Sequence, residues 1–178
     1  MTVRRRWGSF IVASLLGLGI AAQAAAPSSF SGVVTRVSDG DTVWVRPDGA
    51  RRKPVKLRLR GIDAPERCQS GGAASTAALT AFVLAQRVVV DGRAVDGYGR
   101  LVGDLRRERD GLDAGAWMVR HGHAWSARFH GHAGTYAREE SAARAERRGL
   151  FARPDAVPPA DFRKRHGQCQ DRRPRISR

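Results

Sequence analysis

Cysteine, lysine and long apolar runs are what this 178-residue chain has little of. Two cysteines are too few for a disulfide-dense miniprotein. The longest apolar run covers only residues 10–22, short of the roughly 20 residues that a bilayer-spanning helix needs. Acids are scarce too, 17 Asp+Glu against 32 Lys+Arg, and the formal charge is +15. There are no internal repeats. Hydrophobic residues make up 42% of the chain, too many for global disorder, and the length suits one globular domain. Only Lys53, Lys56 and Lys164 are Lys, and all the other cations are Arg. Planar guanidinium forks suit phosphate, although the same surplus also fits genome composition and solubility. The charge favours a polyanionic partner without separating DNA, RNA, anionic lipid and acidic glycan.

The first segment reads as an address. Arg4-Arg5-Arg6 precede the apolar run, which ends in Ala22-Gln23-Ala24 and Ala24-Ala25-Ala26. A basic head, a short apolar stretch and an A-x-A site predict a signal peptide over residues 1–24, cleaved after Ala24 or Ala26. The expected product is exported to the periplasm or the medium, without stable membrane insertion, and acts as a monomer. Removing residues 1–24 takes away three arginines and no acid, so the remainder stays strongly basic. A chain of that size can bury roughly 70% of its unfolded surface, enough for a stable core. In an oxidising compartment Cys68 and Cys169 can pair, tying the C-terminal segment to the loop after Glu66; two unrelated free thiols are the alternative.

The remainder alternates strand and helix signals. Residues 30–37 and 42–46 are rich in β-branched side chains around the turn Ser38-Asp39-Gly40-Asp41, and Asp48-Gly49 marks a second turn. Val55, Leu57 and Leu59 alternate with Lys56, Arg58 and Arg60, the period of a half-buried strand. Helices are expected over 72–85, over 113–121 with Asp113 as cap and Gly122 as stop, and over 136–148. Short strands are expected at 87–90 and 101–105, flanking Asp96-Gly97-Tyr98-Gly99. Trp117, Met118 and Val119 read as core-facing. The pattern predicts an α+β fold over 27–153, a five-stranded oligonucleotide-binding (OB) type barrel with about three helices. An extended arm over 154–178 follows, frayed beyond Cys169.

Three patches combine acids with arginines: Asp39-Gly40-Asp41-Thr42, Arg58 through Ile62-Asp63-Ala64-Pro65-Glu66, and Tyr98-Gly99-Arg100. Singly each reads as a turn, a solvated loop or a surface charge. Together they match the needs of phosphodiester cleavage: a cation to polarise the phosphate, cationic forks for the developing charge, and an acceptor for water. Asp41, Asp63 and the Ala64 carbonyl are hard oxygens that select Ca²⁺ or Mg²⁺. Arg58 and Arg100 suit bidentate phosphate contact.

At these residues the chain resembles the thermonuclease, or staphylococcal-nuclease-like, family. The likeness runs from about Val33 to Phe151 and is carried by Asp39-Gly40-Asp41-Thr42-Val43, the run from Arg58 to Glu66, and Asp96-Gly97-Tyr98-Gly99-Arg100. The resemblance implies a five-stranded OB barrel that cleaves DNA and RNA at the 5′ P–O bond with Ca²⁺, leaving 3′-phosphates. It implies Asp41, Asp63 and the Ala64 carbonyl as metal ligands, Arg58 and Arg100 as the phosphate clamp, and Glu66 as general base. Tyr98 and Arg128 are the implied substrate contacts, and Asp39 a turn residue. The hairpin holding Arg51, Arg52, Lys53 and Pro54 is longer than usual, and Gly97 replaces a residue that is often basic. After Gly122, where the family often has aromatics, stand Trp125, Arg128, Phe129 and His130.

Other signals read more plainly. His121-Gly122-His123 and His130-Gly131-His132 lack a nearby Cys and contain glycine, so they read as a polar loop near the nucleic-acid path rather than a zinc site. Arg138, Arg144, Arg147 and Arg148 form a solvated helix face offset by Glu139, Glu140 and Glu146. The tail 172–178 adds non-specific affinity for DNA. The competing classes are a non-catalytic OB module that coats nucleic acid, and a basic protein that binds the envelope surface. The binding module's signature would be loss of one of the acids or arginines above, and none is missing.

Overall fold

The computed structural model describes residues 29–49, 52–128, 132–167 and 169. The expected signal peptide, Arg51, Phe129, His130 and the tail 172–178 lie outside the described residues. Strands β1 (Ser29–Asp39), β2 (Thr42–Pro47), β3 (Val55–Leu59), β5 (Arg87–Val95) and β6 (Leu101–Arg107) close into a five-stranded barrel in the order β1-β2-β3-β6-β5. The alternation does what it predicts: Val43, Val45, Leu57, Leu59, Val88 and Val90 fill the interior, while Lys56 and Arg58 point away from it. Each such buried aliphatic contributes roughly 1.5–3 kcal/mol.

β1 pairs antiparallel with β2 and β5, β2 with β3, and β5 with β6, whereas β3 and β6 run parallel and complete the closure. In β3 this sets Arg58 opposite Thr42 on one side and Val102 on the other. Two residues each form β4 (Ile62–Asp63) and β7 (Trp125–Ser126), a small antiparallel sheet that pairs Asp63 with Trp125. No period can announce strands this short.

Helix α1 (Gly72–Val83) covers the barrel with Leu79, Phe82 and Val83, and α2 (Ala114–Arg120) adds Met118 and Val119. The cap on α2 is as expected, the Asp113 carboxylate accepting from the Ala116 amide at 2.8 Å. Helix α3 (Ala137–Ala145) is shorter than the 136–148 expected, since the backbone turns left-handed at Arg147 before the 3-10 turn Gly149–Ala152. The extended arm needs correction. Residues Pro159–His166 form a helix, α4, because Pro159 occupies the first helical turn, where a missing N–H costs nothing. Among the described residues no helix is long and apolar enough to cross a membrane.

Candidate active site

The turn between β1 and β2 presents Asp41. Gly40 is required there by close approach, because a side chain would run into Ser75 Oγ and Ala64. Asp39 Oδ1 accepts the Asp41 amide at 3.1 Å, and the Asp41 carbonyl accepts the Leu59 amide at 2.8 Å. The Asp41 carboxylate, in a residue only 5% exposed, receives Thr42 Oγ1 at 2.9 Å, the Ala64 amide at 3.3 Å and Arg58 Nη1 at 2.5 Å. Burial and the neighbouring Asp41 charge push the Asp39 carboxyl up to about 6.

Arg58 reaches past Asp41 to Asp63, its Nη2 lying 3.5 Å from Asp63 Oδ1. One guanidinium therefore joins the Asp41 carboxylate of the β1–β2 turn to that of Asp63, which the Gly61 turn, with φ +76°, separates from β3. Burial opposes the Arg58 charge, but Asp41 and then Asp63 more than offset it and hold the group above its ordinary range. Arg100, after the turn that leads into β6, anchors its Nε on Asp96 Oδ2 at 2.7 Å, while its guanidinium carbon lies 5.3 Å from the Tyr98 ring centre. Among the described residues the two terminal nitrogens of Arg100 have no protein partner. Tyr98 is 76% exposed at the rim.

Asp39, Asp41, Arg58, Ala64, Glu66, Tyr98, Arg100 and Arg163 line one cleft of about 570 Å³. That is room for a nucleotide rather than a bare ion. Asp63 faces a second groove, shared with Arg58, Arg163 and Arg128, so the Arg58 and Arg163 guanidinium groups span both. Arg128 pairs with Glu140 at 3.6 Å, away from the cleft that holds Glu66.

The sequence does not point to Arg163. Its Nη1 donates to Asp63 Oδ1 at 3.1 Å and to Glu66 Oε1 at 2.9 Å, and its Nη2 to Asp63 Oδ2 at 3.0 Å. Nor does the sequence mark Trp44. Arg36 lies 4.8 Å from the centre of its ring and Lys56 5.8 Å, and both cations also line the cleft. Cys68 and Cys169 are joined by a disulfide, so the alternative of free thiols falls.

Other expectations shift. His121 and His123 stand in the turn after α2, as expected, but stack on Trp117 at 4.3 and 5.8 Å and do not line the Asp41 cleft; the His121 ring nitrogen meets the Trp117 carbonyl. Met118 and Val119 are fully buried, as expected, with Trp117 stacked on Phe82. Arg144 is more than a solvated cation: it bonds buried Glu140 at 2.8 Å and covers the Phe151 ring. Glu140 in turn accepts the Ser126 amide at 2.8 Å, which steadies β7.

Comparison with known proteins agrees with this geometry. A protein-family model described as staphylococcal nuclease homologue matches residues 56–153. A protein named ParB from Escherichia coli is 35% identical over 94% of this chain and 98% of its own length. An uncharacterized endonuclease of Escherichia coli O157:H7 is 37% identical over 75% of this chain and 85% of its own. A micrococcal nuclease of Shigella flexneri is 33% identical over 77% and 82% respectively.

Proposed function

Because the chain belongs to the staphylococcal nuclease homologue family and is a nuclease, we propose that it hydrolyses DNA and RNA with little sequence preference. In this reading the reaction uses a divalent cation, Ca²⁺ in preference to Mg²⁺, and leaves 3′-phosphate products. The observation that carries it is the single guanidinium of Arg58 on both Asp41 and Asp63, in reach of the cleft that holds Glu66 and Arg100.

The donor set suits a hard cation. Among the described residues Asp41, Asp63 and Glu66 are touched by the guanidinium groups of Arg58 and Arg163, and Asp39 accepts the Asp41 amide, so the acids present oxygen donors only. Among the described residues no three His, Cys, Asp or Glu side chains gather into a metal cage. Two carboxylates completed by backbone, water and phosphate oxygens make a shell that Ca²⁺ or Mg²⁺ accepts. Asp41 and Asp63, with the Ala64 carbonyl, are the residues that would hold it. When bound, the cation supplies positive charge that polarises the phosphoryl group.

The chain's own groups account for the remaining roles. Arg58 and Arg100 grip non-bridging phosphate oxygens and stabilise the charge that develops as water attacks. Glu66 takes the proton of that water or orients it. The new O–P bond forms as the bond to the 5′-oxygen breaks, a proton goes to that oxygen, and the phosphate stays on the 3′ side. Tyr98 at the rim and Arg128 in the adjoining groove contact the flanking nucleotides. The disulfide fits an oxidising compartment and so supports export, while removal of residues 1–24 and a monomeric state belong to the reading on the sequence alone.

Plasmid DNA and RNA incubated with Ca²⁺ should be degraded, EGTA should stop the reaction and Ca²⁺ should restore it. Full activity with Mg²⁺ alone would overturn the choice of ion, and 5′-phosphate ends on a defined oligonucleotide would overturn the choice of bond.

A further inference from the structure

We propose that Arg163 is a positioning residue of the nuclease site, fixing Asp63 and Glu66 against each other from a helix beyond the family-matched domain. The inference rests on the roles of Asp63 and Glu66 given above. The family match ends at residue 153, and α4 begins at Pro159, so this guanidinium comes from outside the matched region.

The geometry is that of a fork. Both terminal nitrogens of Arg163 meet the two oxygens of Asp63 at 3.1 and 3.0 Å, and one of them also serves Glu66 at 2.9 Å. A planar fork fixes orientation as well as charge, which a lysine ammonium does not. The pairing does not exhaust its partners. A carboxylate offers about four lone-pair sites, and among the described residues Glu66 Oε2 has no bonding partner. Both acids can therefore be held in place and still act.

The arm is fastened so that this contact persists. Cys169, six residues after Arg163, is bonded to Cys68, two residues after Glu66. Gln69 adds a second tie: its Nε2 donates to the Val157 carbonyl at 2.6 Å while its Oε1 accepts the Glu66 amide at 3.1 Å. The backbone of Glu66 is thus coupled to the segment leading into α4, and its side chain to the helix itself. A surface ion pair between long side chains usually contributes little. Here the arginine is delivered by a covalent tether and makes three bonds to two acids of the candidate site.

The test uses the full oxidised chain and the variants Arg163→Ala, Arg163→Lys, Arg58→Ala and Arg100→Ala. Arg163→Ala should lower kcat by about 10–100-fold, the usual cost of removing a group that orients acting ligands, with KM little changed. Arg163→Lys should be intermediate, since it restores charge but not the fork. In the metal-free protein, hydrogen exchange at the amides of Glu66 and Gln69 should quicken in Arg163→Ala. Should that variant fail to fold, Arg163→Lys carries the test on the same readouts. Unchanged kcat overturns the proposal, and so does a rise in KM alone, which would make Arg163 a substrate contact. A gain in kcat overturns it as well and marks α4 as a plug. Wild-type turnover in Arg163→Lys would overturn the fork by showing that charge suffices. If Arg58→Ala and Arg100→Ala abolish cleavage while Arg163→Ala does not, only this inference fails; if none of the three matters, the site assignment itself is wrong.

Discussion

Replacing Arg58 separates what the residue does for folding from what it does for turnover. Arg58→Ala leaves the Asp41 carboxylate buried with only the Thr42 hydroxyl and the Ala64 amide as donors. Breaking a fully buried pair typically costs about 3–5 kcal/mol. The Arg58 side chain is 26% exposed and two donors to Asp41 remain, so the expected loss is nearer about 2 kcal/mol. Loss of a preorganised donor to developing charge lowers turnover by about 100–1,000-fold, or roughly 2.7–4 kcal/mol of barrier. Arg58→Lys is the discriminating variant. It keeps a cation beside Asp41, so stability should fall by less than about 1 kcal/mol, yet it cannot present two parallel N–H groups to phosphate. Urea unfolding at neutral pH gives the first quantity, and cleavage of a defined oligonucleotide at saturating Ca²⁺ gives the second. If Arg58→Lys cuts within about tenfold of the wild-type rate, bidentate contact is not what Arg58 contributes. If Arg58→Ala unfolds at the wild-type midpoint, the pair with Asp41 is not holding the turn.

Two further outcomes follow from features outside the cleft. The disulfide spans 101 positions, and loop entropy for a closure of that length gives about 4.7 kcal/mol at most. Replacing both Cys68 and Cys169 by Ser should lower the urea midpoint accordingly, and a loss under about 1 kcal/mol would contradict it. His123 is held below its ordinary 6.5 by burial first and by the His121 charge second. The unfolded chain therefore binds the proton more readily, so this contribution is present above pH 6.5 and is lost as the pH falls below it. His123→Gln should flatten the decline in stability on acidification, and an unaltered slope would refute that assignment.

The barrel was legible because its strands carry a period. Val55, Leu57 and Leu59 on one face and Lys56 and Arg58 on the other leave one reading of β3, and the glycine-containing turns separate it from its neighbours. Asp41, Arg58 and Glu66 could be picked out because acids and arginines stand at the ends of those strands. What failed was local in one case and long-range in another. Pro158-Pro159 reads as a breaker, yet proline at the start of a helix is favourable, and α4 escapes notice for that reason. β4 and β7 have two residues each, below any detectable repeat. Arg163 meets Asp63 and Glu66 across 100 and 97 positions, so nothing in its own neighbourhood advertises the contact. The one signal was the cysteine pair, which already drew the C-terminal segment toward the loop after Glu66. The spacing of His121 and His123 likewise says nothing of Trp117, whose ring they cover.

The parallel contact between β3 and β6 decides when the cylinder has an inside. A chain cut before Leu101 retains Asp41, Arg58 and Glu66 but loses Arg100 or leaves it as a loose end, and the half-pipe that remains has nothing to bridge β3 and β5, the two strands that β6 joins. A truncated product of that length is consequently left with an unpaired sheet edge on each side of the gap.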